Sequence, residues 1–168
     1  LVHAVEAKDP YTRRHSEQVR HYVLKLSEYL GVDADMLVPL RTAALLHDVG
    51  KIGVPDHILT KPGRLTSREF DEIRRHPAVG AEIVQNVSLL AAEAKLVRHH
   101  HENWNGSGYP DGLVGTGIPF GARVINVADS IDAMLMKRTY KEAYPVERVL
   151  SELARCAGTQ FDPEIATA

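Results

Sequence analysis

Nine histidines stand among 168 residues, and several fall beside carboxylates in patterns that could hold cations. His47 and Asp48 are adjacent at the end of a predicted buried helix. Val49-Gly50-Lys51 follows, where the glycine lets the backbone turn and the lysine returns toward the same spot. Neighbouring helix residues point about 100° apart, so the pair serves one site only if that site lies between them. A centre of two metal ions meets this condition, with Asp48 bridging. An isolated His-Asp dipeptide reads more simply as a surface histidine beside a capping aspartate. The company of His15, His76, His99, His100, His101 and Asp129, all on predicted helices or their ends, favours ligation instead. Imidazole and carboxylate donors without thiolate suit iron, manganese or another first-row divalent metal better than structural zinc. The donor set therefore points to catalysis rather than scaffolding.

The elements that must carry these residues are helical. Val19, Tyr22, Val23, Leu26 and Leu30 recur at three- and four-residue steps, with Gly31 where a helix C-cap would sit. Met36, Leu37, Leu40, Ala43, Ala44 and Leu46 run from an Asp33/Asp35 start into His47-Asp48 and stop at Gly50. Thr66 and Glu69 form a capping box, and His76-Pro77 separates that short helix from one through Val79, Ile83 and Val84. Leu90 to His101 predicts a further helix, and Asn103 to Pro119 a Gly/Pro/Asn/Asp-rich loop of functional length. Val124, Ile125, Val127, Ala128, Ile131 and Met134 are apolar nearly all round, which predicts a central buried helix. Pro145 opens one more, and Asp162-Pro163-Glu164 is the N-cap signal of a last one. No strand-like alternation exceeds four or five residues, so the expected fold is an all-α bundle.

Composition narrows the partners. An apolar content of 44% can fill the core of one domain. Twenty basic residues against twenty-two acidic ones, net −2, give no electrostatic case for a nucleic-acid polymer or an anionic membrane. The lone Cys156 fits a reducing compartment, and no apolar run approaches the roughly 20 residues of a membrane span, so a cytoplasmic location is expected.

Further motifs follow in order: Leu46-His-Asp-Val-Gly-Lys-Ile-Gly-Val-Pro-Asp56, Lys61-Pro-Gly63, Leu65-Thr66, His76-Pro77, His100-His-Glu102, Gly106-Ser-Gly-Tyr-Pro-Asp-Gly112, Ala128-Asp129 with Asp132-Ala133, and Gln160-Phe-Asp-Pro163. From Asp9-Pro-Tyr-Thr12 to Pro163 the chain resembles an HD-GYP domain. That branch of the HD metal-dependent phosphohydrolases is named for the His-Asp pair and the Gly108-Tyr109-Pro110 triplet. The resemblance implies a compact multi-helix bundle of the HD type with a metal centre between helices. It also implies hydrolysis of the bacterial second messenger cyclic di-GMP to linear pGpG and then GMP. Residues 1–168 are expected to form a single such domain, and the start at Leu1 suggests excision from a longer chain with a regulatory domain upstream.

On that resemblance the metal ligands match His15, His47, Asp48, His76, His100 and Asp129, with His101 a further candidate. Two divalent ions per chain are implied, iron or manganese first, with nickel, cobalt, magnesium and zinc open. Three-metal members carry a glutamate one turn before the histidine matching His15, where this chain has Tyr11. A bridging water, ionised near neutrality, would attack phosphorus in line and expel the ribose 3′ oxygen. Asp48 and Lys51 would be catalytic, Lys51 stabilising charge on phosphate or protonating the leaving oxygen. Lys51, Tyr109, Arg138 and Lys141 match substrate-binding positions, with Tyr109 offering a ring to stack on guanine. Glu102 is expected to orient a ligand histidine, Asp132 to hydrogen-bond locally, Trp104 to line the pocket or pack, and His3, His21, His57 and His99 to be ordinary. Asn105 stands where the family often has aspartate. Beyond a cyclic dinucleotide, the resemblance admits contact with cyclic di-GMP synthases through the Gly108-Tyr109-Pro110 loop, and a homodimer. Two other classes compete: a catalytically weak cyclic di-GMP receptor or interaction module, and a generic HD nucleotidase or oxygenase, which the Gly-Tyr-Pro triplet argues against.

Overall fold

A computed structural model of the chain describes residues 12–136 and 143–168, with the backbone alone at residues 12–14. The first amphipathic run forms α1 (Thr12–Tyr29), with Val19 and Val23 fully buried and Tyr22 and Leu26 packed at the core's edge. Gly31 takes φ +65°, and the N–H groups of Gly31 and Val32 bond back to the carbonyls of Glu28 and Ser27, ending the helix as its sequence predicts. The next run forms α2 (Ala34–Leu46), opened by Asp33, whose side chain accepts from the Met36 N–H at 2.8 Å. Beyond it the chain tightens into a 3-10 turn (Val49–Gly53) and continues as α3 (Asp56–Leu59), α4 (Ser67–Ile73), α5 (His76–Gln85) and α6 (Ala91–His99). The expected Thr66–Glu69 capping box opens α4. A long loop leads to α7 (Phe120–Leu135), then α8 (Val146–Cys156) and α9 (Pro163–Ala166), the last capped by the Asp162 side chain. Among the described residues there is no strand, only isolated bridges at Asn105–Val114 and Ala157–Phe161. The fold is all-α.

Helix α7 is the hub, as its apolar circumference predicts. Ala122, Val124, Ile125, Val127 and Ala128 are buried against α1, α6, α8 and α9, which holds the helix from several sides and fixes the direction of Asp129 and Asp132. A second fixed distance comes from two glycines. A Cβ on Gly50 would stand 1.9 Å from the His76 carbonyl oxygen and 2.5 Å from the Gly80 nitrogen. The turn after α2 therefore lies directly on the first turns of α5. Gly50 is not among the glycines with positive φ, so its role is close approach and not the turn freedom its sequence context suggests. Among the described residues no helix is long and apolar enough to cross a membrane.

Candidate metal centre

Four helix ends and one helix interior converge on one cluster. His15 comes from the first turn of α1, His47-Asp48 from the exit of α2, His76 from the start of α5, His100-His101 from the exit of α6, and Asp129 from α7. His47, His76 and His100 are each 0–1% exposed. Asp48 sits where the α-helix gives way to the 3-10 turn, at φ −93° and ψ 2°.

The helix ends also aim the imidazoles. The last carbonyls of a helix lack an intrahelical partner. His47 Nδ1 lies 2.8 Å from the Ala44 carbonyl of α2, His76 Nδ1 2.7 Å from the Ile73 carbonyl of α4, and His100 Nδ1 2.7 Å from the Val97 carbonyl of α6. A carbonyl only accepts, so Nδ1 carries the proton in each ring and Nε2 presents its lone pair to the cluster. His15 is aimed differently: its Nδ1 meets the buried Asp132 carboxylate at 2.6 Å. Asp132 is thus a partner of a residue 117 positions away, rather than of its own helix as expected, and no feature of its spacing signals that pairing.

Asp48 lies between two groups of donors. Oδ1 is 3.3 Å from His76 Nε2, while Oδ2 is 3.6 Å from His47 Nε2 and 3.8 Å from His15 Nε2. On one side donor atoms of His15, His47 and Asp129 lie within 4.8 Å of one another, on the other those of His76, His100 and His101 do, and those of His47, Asp48 and His100 link the two. His15 Nε2 also stands 3.2 Å from Asp129 Oδ1. His47 Nε2 is buried without a hydrogen-bond partner among the described residues, a costly arrangement for a polar atom unless something else binds it. Nitrogen and oxygen ligands at about 2.0–2.2 Å from one ion lie roughly 3 Å apart or a little more, so this donor set fits divalent cations.

Charge in the cluster follows from burial and contacts. Burial and the neighbouring imidazoles of His101, His47 and His76 hold His100 well below the ordinary imidazole range, and burial pushes His101 down to about 3. These rings are neutral, the state that ligates. Burial alone would raise Asp48, but the Lys51 ammonium, with Nζ 2.6 Å from Oδ2, keeps its carboxyl well below the usual range. His15 is the exception. Burial would lower it, yet the hydrogen bonds to Asp129 and Asp132 and the charges of Asp129 and Asp48 lift it to about 10. A group raised on folding stabilises fully below its unfolded value near 6.5, and that contribution is lost as the pH climbs through about 10. In the presence of chelator the chain is therefore expected to melt progressively lower between pH 6.5 and about 10, and His15→Gln to flatten that slope. Equal slopes for parent and variant would contradict the assignment.

The Gly-Tyr-Pro loop is tied to the cluster by Glu102, though not as expected. Its buried carboxylate accepts the backbone N–H groups of Asp111, Gly112 and Leu113 at 2.7–3.1 Å, so it anchors the loop, while backbone carbonyls orient the histidines. Asp111 is held in turn by Arg98 at 2.7 and 2.8 Å and by His99 at 3.0 Å, which gives the supposedly ordinary His99 a loop-holding role. Gly108 faces the backbone of residues 101–103, where a Cβ would stand 2.2 Å from the Asn103 nitrogen. Gly106 and Gly112 adopt the positive φ expected of turn glycines. Asn105 keeps the hydrogen-bonding capacity of an aspartate, accepting from both the N–H and hydroxyl of Ser107. The loop delivers the Tyr109 ring to 4.9 Å from His101. Trp104 packs under Arg123 and against Gly115. Arg138, Lys141 and Tyr11 lie outside the described residues.

Helical fold and donor arrangement together define an HD-type domain, and the model of the HD domain family matches residues 1–165. The chain belongs to the HD domain family. Over its whole length it is 40% identical to the cyclic di-GMP phosphodiesterase response regulator RpfG of Xanthomonas campestris pv. campestris, of which it covers 45%. Across 95% of its length it is 40% identical to the 3'3'-cGAMP-specific phosphodiesterase 3 of Vibrio cholerae serotype O1, covering 35% of that protein. The chain thus spans less than half the length of these relatives. The structure of an HDG"Y"P protein from Bdellovibrio bacteriovorus shares the fold, with a TM-score of 0.74 at 22% identity over 90% of this chain and 49% of that one.

Proposed function

We propose that this chain is a metal-dependent phosphodiesterase that cleaves cyclic di-GMP to linear pGpG, using two divalent ions, iron or manganese, held by His15, His47, Asp48 and Asp129 on one side and by Asp48, His76, His100 and His101 on the other. The observation that carries the reading is the position of Asp48, whose two oxygens face different donor groups. The similarity to phosphodiesterases for cyclic di-GMP and for 3'3'-cGAMP supports the substrate class. Divalent ions, when bound, lower the pKa of water and neutralise phosphate oxygens.

The chain's own groups do the rest. The carbonyl-bound histidines keep their Nε2 lone pairs directed inward. The Lys51 ammonium, beside the shared carboxylate, lies where it can offset charge on a phosphate oxygen and hold a proton for the departing ribose 3′ oxygen. Tyr109, half-buried against His101, offers its ring to a guanine base. Chromatographic separation of each substrate from its linear dinucleotide and mononucleotide products after incubation with cyclic di-GMP or 3'3'-cGAMP, with and without chelator, tests the reading. Chelator-sensitive appearance of pGpG from cyclic di-GMP is expected, and no cleavage of cyclic di-GMP, or cleavage of 3'3'-cGAMP alone, would contradict it. Tyr109→Ala is expected to weaken cyclic di-GMP binding by about 10-fold or more while metal content falls far less, since one base-aromatic stack is worth about 1–3 kcal/mol. Lost metal with unchanged affinity would reverse that division of labour.

A further inference from the structure

Arg74 caps the end of α4 two residues before His76 and belongs to neither donor group. Its guanidinium carbon lies 4.8 Å from the centre of the Tyr109 ring and 5.7 Å from that of Phe70. Three other arginines are ion-paired: Arg75 with Glu72, Arg98 with Asp111, and Arg123, which also lies over aromatic rings, with Asp162. Among the described residues Arg74 has no carboxylate partner. An aromatic face restrains a guanidinium without consuming its N–H donors, so Arg74 is held half-buried at the Tyr109 ring with its charge and donor fork available. That ring in turn rests 4.9 Å from His101, which places this charge one side chain away from the donor cluster.

We propose that Arg74 is a further substrate-binding residue that takes a phosphate of the cyclic dinucleotide by charged hydrogen bonds, an assignment that rests on the substrate reading above. A cyclic dinucleotide carries two phosphate anions, and a planar guanidinium fork matches two phosphate oxygens. The test compares the parent with Arg74→Gln and Arg74→Lys, each loaded anaerobically with manganese. KM and kcat for cyclic di-GMP, affinity for its bisphosphorothioate analogue, the salt dependence of that affinity, and manganese per chain are measured. Arg74→Gln is expected to raise KM and the analogue's Kd about 10- to 100-fold, with the larger part of the loss in KM rather than kcat. Its salt dependence should be shallower, its manganese content that of the parent, and Arg74→Lys should recover part of the loss. KM and Kd within about threefold of the parent would overturn the assignment, and so would lost manganese at unchanged affinity, which would make Arg74 a support for His76. A parent that neither binds the analogue nor cleaves cyclic di-GMP would overturn the substrate reading itself, and this assignment with it.

Discussion

Asp48→Asn is expected to lower the rate of cyclic di-GMP hydrolysis by roughly a thousandfold or more, about 4 kcal/mol in the barrier, while leaving the helical fold in place. The residue is 4% exposed and its two oxygens divide their contacts, one toward His76 and the other toward His47, His15 and Lys51. An amide keeps the shape but loses the charge, and one of its arms becomes a donor facing imidazole lone pairs or the Lys51 ammonium. It can neither offset two cations nor be shared between them. The fold survives because Leu40, Ala43 and Ala44 of α2 pack independently of this carboxylate, and Lys51, partly exposed, can turn to water. Circular dichroism, metal analysis and turnover of the same preparation check the three parts together. Activity within about tenfold of the parent would place the chemistry elsewhere.

Gly50→Ala is expected to act at the same place through packing. The new methyl would stand 1.9 Å from the His76 carbonyl oxygen and 2.5 Å from the Gly80 nitrogen, both backbone atoms that cannot swing aside. Either the turn carrying Asp48 lifts off α5 or α5 shifts outward, and both movements separate Asp48 from His76. Overpacking of this kind costs about 2–3 kcal/mol, which for a domain of this size lowers the Tm by roughly 4–12 °C. Metal uptake should fall with it, because the shared carboxylate no longer reaches both donor groups. A parent-like Tm with full metal content would show that the contact between turn and helix yields more readily than its geometry implies.

Much of this arrangement is legible in the residues, and the parts that are not share a physical cause. The apolar period of α2 runs to Leu46 and stops, so His47-Asp48 must sit at a helix exit. The continuous apolar circumference of α7 likewise marks the buried helix that carries Asp129. Such patterns report which face of an element is buried, but not which distant loop folds back onto it. That is why Glu102, next in sequence to His101, reads as a partner of the histidine, when its carboxylate in fact receives three backbone N–H groups from residues 111–113. The pairing of Asp132 with His15 is equally invisible, since it joins residues 117 positions apart. Gly50 and Gly108 show a different limit. Spacing marks both as turn residues, whereas each is needed for the backbone that passes within reach of its missing Cβ.

A centre of two ions sharing Asp48 has a direct readout in anaerobic metal loading. Chain freed of metal is titrated with iron or manganese while bound metal and cyclic di-GMP turnover are followed in the same samples. Hydrolysis should rise with metal and level off near two ions per chain, in the parent and in Tyr11→Phe alike. Saturation at one ion with full activity, recovery of three ions per chain, or hydrolysis that persists without metal would rule out a two-ion centre.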